Sequence, residues 1–162
     1  MTNQTDFITG YSPAPESTNH IEIKERYPLF IKGKFSEPQS GKYFSTINPA
    51  TEKKLSEVAV ANQTDVDFAV KSARNAYKNV WSKMPPKERS KYIYRIARVL
   101  QERGREFAVI ESMDGGKPIR ESRDIDIPLA VAHFFYYAGW ADKLEYAFPG
   151  RKANELGVAG QI

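Results

Sequence analysis

The stretch "LFIKGKFSEPQSGKYFSTINPATEKKLSEVAVA", residues 29–61, decides the fold class because it alternates short strand-forming runs with turn signals. "LFIKGKF" predicts a hairpin that turns at Lys32-Gly33, and "QSGK" predicts a second turn before the strand "YFSTI". Asn48-Pro49 predicts a third turn, because the asparagine side chain bonds nearby backbone and proline fixes φ. "KLSEVAVA" then predicts another strand with partial alternation of apolar residues.

Helical patterns follow these strands. Thr64 and Asp67 have the spacing of a capping box, which predicts the start of the first helix. Pro85 and Pro86 predict the first turn of a second helix, and Gly104 predicts a kink or a break within it. The apolar positions of the two helical stripes are Val66, Ala69, Val70, Ala73, Ala76, Tyr77 and Val80, then Ile93, Ile96, Ala97, Leu100, Phe107 and Ala108.

The segment "ESMDGGKPIRES", residues 111–122, predicts a helix end. Gly115 and Gly116 are suited to the positive φ of a helix C-cap, and Pro118 is suited to open the next segment. A last helix is predicted to begin near Asp126 and to continue through "LAVAHFFYYAGWADKLE".

The two ends of the chain carry different patterns. The polar start predicts an extended N-terminal arm over residues 1–28, in which Ile21 and Ile23 have a strand-like pattern. After a loop, "LGVAGQI" predicts a closing strand that has no partner strand in the chain. The predicted fold class is therefore α/β: short strands, several helices and one terminal strand, mostly helical as an isolated fragment.

Composition excludes several classes of site. The chain has 162 residues, the length of one ordinary domain, and no cysteine, so disulfides, thiolate metal sites and a cysteine nucleophile are excluded. Its two histidines, His20 and His133, have no metal-ligand spacing. No apolar run reaches the length of about 20 residues that spans a bilayer. The start lacks the pattern of a secretory signal, so no membrane association and a cytoplasmic location are expected.

The net charge of +4 raises the question of nucleic-acid binding. In "KERSKYIYRIARVLQERGREF" the basic residues are interleaved with acidic ones, which is typical of a solvated helix face. No nucleic-acid partner is therefore expected.

Several stretches together resemble the N-terminal part of the aldehyde dehydrogenase family. "TINPATEKKLSEVAVA" is similar to the family's N-P-A-T-G-E segment, and "DVDFAVKSARNAY" to its first amphipathic helix. "ESMDGGKPIRES" is similar to its E-x-x-D-x-G-K-P segment, and "YYAGWADKL" is the most specific match. "LGVAGQI" resembles the strand that leads into the nucleotide-binding fold. The order and spacing of the segments also agree.

The resemblance implies that residues 29–162 are an incomplete N-terminal part of an NAD(P)-binding domain. The complete enzyme would oxidise an aldehyde to a carboxylic acid with NAD or NADP, and would be a homo-oligomer. In the family, the oxyanion asparagine, the cofactor-binding lysine, the glutamate base and the cysteine nucleophile all follow the segment matched by "LGVAGQI". The chain is therefore expected to contain no catalytic and no cofactor-binding residue, to bind no cofactor by itself, and to be inactive alone.

The chain departs from the family pattern at three places. Glu52 and Lys53 stand where the family tends to have Gly-Glu, so this turn must form without the glycine. "YAFPGRKANE" is shorter than the connection that helps to build the oligomerisation sheet in the family. Glu155 occupies a position where proline is frequent.

Three candidate sites have both a functional and a structural interpretation. The resemblance implies a monovalent-cation site at Thr46, the backbone carbonyl of Ile47, and Asp114, whose alternative role is a cap or salt bridge. "GGK" at 115–117 lacks the spacing of a phosphate-binding loop, and a helix C-cap accounts for it. The aromatic run Phe134, Phe135, Tyr137 and Trp140 favours a core or subunit contact over base stacking, and His133 favours a polar face or a satisfied core position.

Two other functions compete with that of an enzyme fragment. The chain could be a non-catalytic truncated partner that associates with full-length aldehyde dehydrogenase, or a small basic module that binds nucleic acid. The coding sequence downstream of codon 162 distinguishes an interrupted enzyme gene from a truncated partner.

Overall fold

The computed structural model describes residues 17–147 and residue 149, and has the predicted order of strands first and helices after them. The strands are β1 (Arg26–Tyr27), β2 (Leu29–Ile31), β3 (Lys34–Ser36), β4 (Tyr43–Asn48) and β5 (Lys53–Ala59). The helices are α1 (Gln63–Asn79), α2 (Pro86–Glu102), α3 (Gly104–Gly115), α4 (Ile119–Glu121), α5 (Ile127–Trp140) and α6 (Leu144–Ala147). Two 3₁₀ turns lie at Thr18–His20 and Trp81–Lys83, and a π-helical turn lies at Ser122–Asp126. The α/β prediction is confirmed, whereas the predicted strand "LGVAGQI" lies outside the described residues.

The first sheet has the strand order β1-β5-β4, with β1 parallel and β4 antiparallel to β5. β1 lies within the range predicted to be an extended arm, and the strand-like pattern at Ile21 and Ile23 did not locate it correctly. The register between β4 and β5 shifts between Thr46 and Ile47, where Leu55 is the additional residue of β5. Such a bulge changes the direction of neighbouring side chains.

The second sheet is the hairpin formed by β2 and β3, and its predicted turn is confirmed. Lys32 and Gly33 have φ values of 56° and 76°, as a two-residue turn that matches strand twist requires. Phe30 and Phe35 are opposite each other, with ring centroids 5.0 Å apart. Both rings are largely exposed.

Helix α1 begins with a capping box, as predicted, but the box is formed by Asn62 and Asp65. The predicted pair, Thr64 and Asp67, is therefore wrong. The N-cap is Asn62, whose side chain accepts the N–H of Asp65, while the Asp65 carboxylate accepts the N–H of Asn62. Asp65 is buried and also accepts the backbone N–H of Gln39 at 3.2 Å. This long-range bond selects Asp65 rather than Asp67 as the acidic residue of the box.

The principal helix contact is the packing of α2 against α5. Ile93 of α2 clusters with Ala138 and with Ala141, the residue that follows α5, and Ala97 is also fully buried on α2. Pro86 occupies the first position of α2, and α2 ends before Gly104, as predicted. Ile96, which the stripe placed on the buried face, is half exposed.

The segment between α3 and the last helix is also helical, which was not predicted. Helix α5 begins at Ile127, next to Asp126, as predicted, but it continues a helical path that starts at Ile119, after Pro118, and passes through the π-helical turn. Helix α5 ends at Trp140, and Tyr146 lies in the short helix α6, where a loop was predicted.

Much of the apolar stripe of α1 is exposed. Val66, Val70 and Tyr77 are each more than two-fifths accessible, so no other described element covers this face. Within residues 17–147 and 149, no helix has the length and hydropathy required to cross a membrane.

Candidate functional site

Two segments that are distant in sequence meet where the end of α3 packs against the turn between β4 and β5. Gly116 is the C-cap of α3 and has a φ of 71°. A Cβ atom on this residue would lie 2.5 Å from Cγ of Pro49. The contact therefore requires glycine both for its backbone conformation and for the close approach.

The turn at Asn48-Pro49 is built as predicted, through the asparagine side chain. Oδ1 of Asn48 accepts the N–H of Ala50 at 2.9 Å, and its backbone carbonyl accepts the N–H of Glu52 at 2.8 Å. Glu52 has a φ of 57°, a left-handed conformation that glycine adopts without strain. The turn thus keeps a backbone shape suited to glycine while carrying glutamate.

Lys117 connects α3 to the π-helical turn. Its Nζ lies 2.7 Å from Oδ2 of Asp126 and 3.1 Å from Oε1 of Glu111. The hydrogen bond to Asp126 raises the pKa of Lys117 most, and the one to Glu111 raises it further. Its backbone carbonyl accepts the hydroxyl of Ser112 at 2.6 Å. The lysine of "GGK" is therefore engaged in structural contacts, which agrees with the C-cap interpretation of this segment.

The aromatic residues of α5 do not form a single buried layer. Phe135 packs against Tyr94 of α2 with ring centroids 5.9 Å apart, and Trp140 lies 6.2 Å from the ring of Tyr136. Phe134 and Tyr137 are partly exposed, and His133 is exposed, as expected for a polar face residue.

A family model described as the aldehyde dehydrogenase family matches residues 35–159, which includes both segments that meet at Gly116 and Pro49. The chain belongs to the aldehyde dehydrogenase family.

Curated members of this family are similar to the chain over most of its length. A putative aldehyde dehydrogenase, DhaS, of Bacillus subtilis is 41% identical over 143 residues, which are 83% of this chain and 29% of that protein. The mitochondrial aldehyde dehydrogenase of Leishmania tarentolae is 41% identical over 145 residues, which are 90% of this chain and 28% of that protein. The chain thus spans less than a third of the length of these two relatives.

Solved aldehyde dehydrogenase structures have the same fold. An NAD⁺ complex of the enzyme from Bacillus cereus aligns with a TM-score of 0.70 at 41% identity, over 73% of this chain and 24% of that chain. An indole-3-acetaldehyde dehydrogenase in its apo form aligns with a TM-score of 0.72 at 32% identity, over 76% of this chain and 28% of that chain. The described α/β arrangement is therefore that of the N-terminal part of the family's nucleotide-binding domain.

The three cation-site candidates lie on the two elements that meet in this region. Thr46 and Ile47 flank the register shift in β4, and Asp114 lies in the last turn of α3. The Thr46 hydroxyl is 3.5 Å from the carbonyl oxygen of Ser56, a weak hydrogen bond. Among the described residues, the carboxylate of Asp114 has no hydrogen bond or ion pair, so neither alternative role predicted for it is observed.

No cluster of three or more histidine, cysteine, aspartate or glutamate side chains suited to a metal ion occurs in the described part of the chain. Two features were not predicted: the burial of Asp65 and the bridge made by Lys117. The spacing of Asn62 and Asp65 is itself a capping-box signal, but it indicates a helix start and not burial.

Proposed function

We propose that the protein containing this chain is an NAD(P)-dependent aldehyde dehydrogenase. In the overall reaction, an aldehyde, water and the oxidised cofactor yield a carboxylate, the reduced cofactor and two protons. The cofactor accepts the hydride when it is bound. The observation that carries this proposal is the family match over residues 35–159, across the contact of Gly116 with Pro49. Structures described as NAD complexes, of the Bacillus cereus enzyme and of PnpE, support a nicotinamide cofactor.

The 162-residue chain alone is proposed to have no aldehyde dehydrogenase activity and to bind no cofactor. It has no cysteine that could supply a thiolate to attack the aldehyde carbon. The purified chain should produce no NADH or NADPH with a panel of aliphatic and aromatic aldehydes. Cofactor-dependent oxidation by this chain, free of contaminating enzyme, would contradict the proposed dependence on residues outside it.

Complementation provides the positive test of the enzyme proposal. The probe is the part of the Bacillus subtilis relative that follows its region matching this chain, produced as a separate polypeptide. Mixing the two chains should give NADH formation that neither gives alone. As a control, the relative's own N-terminal part is mixed with the same polypeptide. If this control also gives no NADH, the place at which the relative was divided is at fault, and not the proposal.

The second candidate function is that of a non-catalytic partner of full-length aldehyde dehydrogenase. The exposed apolar face of α1, at Val66, Val70 and Tyr77, supports an interacting surface. The chain should then co-purify with an intact enzyme of the family and change its rate or assembly. A reading frame that continues beyond codon 162 into a cysteine-containing segment would favour the enzyme proposal.

We also propose that the complete enzyme holds a monovalent cation with the Thr46 hydroxyl, the Ile47 carbonyl and the Asp114 carboxylate. These are oxygen donors, which hard cations prefer, and the contact between Gly116 and Pro49 brings their elements together. K⁺ or Na⁺ should raise the thermal midpoint of the complemented enzyme relative to tetramethylammonium at equal ionic strength. Asp114→Asn should abolish the difference, whereas Asp124→Asn should retain it.

The remaining expectations stay predictions: assembly as a homo-oligomer, a cytoplasmic location and the absence of nucleic-acid binding. The last has a direct test, because interleaved charges cannot neutralise many phosphates in succession. The affinity for DNA should be weak and should fall only slowly with rising salt. Binding tighter than about micromolar at physiological salt would overturn it.

A further inference from the structure

A groove lies on the surface where α2 ends, α3 begins and α5 packs beside both helices. Its volume is about 580 Å³, which is within the range of roughly 300 to 1,000 Å³ that is usual for small-molecule sites in proteins. One side is formed by Gln101 of α2 and by Gly104 and Arg105 of α3. The other side is formed by the π-helical turn and α5, at Arg123, Ile127, Pro128, Val131, Ala132 and Phe135.

Most of the groove is apolar. Val131 is buried, and Ile127 and Phe135 are partly buried, so their side chains present a fixed apolar surface. A Cβ atom at Gly104 would lie 3.6 Å from Cγ2 of Ile127, which shows how closely α3 approaches α5 here. Each methylene group of a ligand that is buried on such a surface strengthens binding by up to about fourfold. The groove can therefore bind a hydrocarbon chain.

The polar part of the groove is basic. None of its lining residues carries a carboxylate, whereas two of them are arginines. Arg123 is engaged by Asp124, with its Nε 2.6 Å from Oδ1 of that residue. Arg105 is exposed, and no hydrogen bond or ion pair engages it among the described residues. The guanidinium group of Arg105 is therefore available to a ligand.

The acids closest to Arg105 in sequence do not neutralise it. Oε1 of Glu102 lies 3.6 Å from a guanidinium nitrogen of Arg98, within α2. Oε2 of Glu106 accepts a hydrogen bond from Nε of Arg103 at 2.8 Å. An arginine without an acidic partner offers parallel N–H donors that fit the two oxygens of a carboxylate.

We propose that this groove binds an aliphatic monocarboxylate. The carboxylate accepts hydrogen bonds from Arg105, and the hydrocarbon chain lies against Ile127, Val131 and Phe135. A single negative charge fits better than a polyanion, because the other arginine of the groove is already paired with Asp124. The site shares no residue with the candidate cation site, and it does not depend on the aldehyde dehydrogenase activity of the complete protein.

Binding of octanoate to the full ¹⁵N-labelled chain, followed by NMR, tests the role of Arg105. The amide signals of Gly104, Arg105 and Val131 should shift and reach saturation. Arg105→Gln should weaken binding by about tenfold, because a charge-assisted hydrogen bond to the carboxylate is lost. Arg74→Gln, which removes an exposed arginine of α1 outside the groove, should bind octanoate as the wild type does.

Two further comparisons test the apolar part of the site. Butanoate should bind at least about tenfold more weakly than octanoate, because it has four fewer methylene groups to bury. Ala132→Phe should block octanoate binding, because the exposed Ala132 lines the groove and a larger side chain would fill it. Ala73→Phe, at an exposed position of α1, is the matched control and should leave binding unchanged.

Arg105→Gln should unfold in urea as the wild type does, since Arg105 has no partner among the described residues, so its weaker binding would not reflect a loss of fold. Absence of saturable binding up to about 10 mM octanoate would overturn the proposal. So would equal affinity of the wild type and Arg105→Gln, or equal affinity for octanoate and butanoate. Shifts centred on Val66 and Val70 of α1 would show adsorption to the exposed apolar face instead, and would overturn it as well.

Discussion

Ser90 donates its hydroxyl hydrogen to the carbonyl oxygen of Ala138 at 2.7 Å, inside the contact between α2 and α5. Ser122 presents the opposite case, because it is fully buried and its Oγ has no hydrogen-bond partner within the described residues. The two serines therefore have the same chemical group in a satisfied and an unsatisfied environment.

The first prediction compares Ser90→Ala with Ser122→Ala. Removing a buried, satisfied hydroxyl should cost about 1 kcal/mol of the free energy of unfolding. Removing an unsatisfied one should be neutral or should stabilise the fold by up to about 1 kcal/mol, because the desolvation penalty of the hydroxyl disappears. Urea unfolding monitored by circular dichroism measures both changes. Equal losses in the two variants would show that Ser122 has a partner after all.

The second prediction concerns Gly116, with Gly115 as its matched control. In Gly116→Ala the alanine must adopt a left-handed backbone conformation, and its Cβ clashes with Pro49. The substitution should lower the free energy of unfolding by about 2 to 4 kcal/mol. Gly115 is still helical, and its nearest contact would be Oε1 of Glu111 at 3.9 Å. Gly115→Ala should therefore stabilise the chain by about 0.5 kcal/mol. A similar effect of the two substitutions would mean that α3 does not end in this C-cap.

The third prediction concerns the strained turn residue Glu52. Glu52→Gly should raise the free energy of unfolding by about 0.5 to 1 kcal/mol, because relief of left-handed strain exceeds the added entropy of the unfolded chain. Glu52→Ala is the control, since it removes the charge but keeps the strain, and it should not stabilise the chain. A gain in both variants would attribute the effect to charge instead of backbone conformation.

Local patterns predicted the features that depend on local chemistry. The turn at Lys32-Gly33, the Asn48-Pro49 turn and the C-cap at Gly116 all follow from residues with special backbone preferences. The capping box was predicted at the wrong residues because both Thr64 and Asn62 are followed by an acidic residue three positions later. Only the contact of Asp65 with the distant Gln39 decides between them.

Features that depend on packing between distant segments were not predictable in the same way. Arg89 of α2 lies in an interleaved run of charges, which predicted a solvated face, and yet it is buried. For the candidate cation site, the resemblance supplied Thr46 and Asp114, whereas their neighbourhood depends on the packing of Gly116 against Pro49. Such contacts are a property of the assembled fold.

The fourth prediction concerns the pH dependence contributed by Glu57. Hydrogen bonds from Lys54 and then Arg26 hold the pKa of this carboxyl below its ordinary value. The ionised Glu57 carboxylate, bonded to Lys54 and Arg26, therefore stabilises the fold at pH values above its unfolded pKa of about 4.3. This contribution disappears as the pH falls through the folded pKa. The stability gap between wild type and Glu57→Gln should be largest near neutral pH and should shrink as the pH falls below the unfolded pKa, in urea unfolding at each pH. A gap that does not vary with pH would show that the charge of Glu57 is not involved.

The last prediction follows from the apolar surface that the described elements leave uncovered. Val66, Phe68 and Val70 of α1 and both phenylalanines of the β2–β3 hairpin are about half exposed or more. Burying apolar area would contribute about 25 cal/mol of stabilisation per Å², so a chain with this exposed surface should bind apolar dyes and self-associate.

Light scattering should show association that grows with concentration, and the remaining part of the Bacillus subtilis relative should lower both dye fluorescence and association. The matched variants Val66→Ser and Val70→Ser should reduce dye binding without changing the helical circular dichroism signal. The prediction is wrong if the chain is monomeric, binds no dye and shows no change when the complementary polypeptide is added. These apolar residues would then need no covering partner.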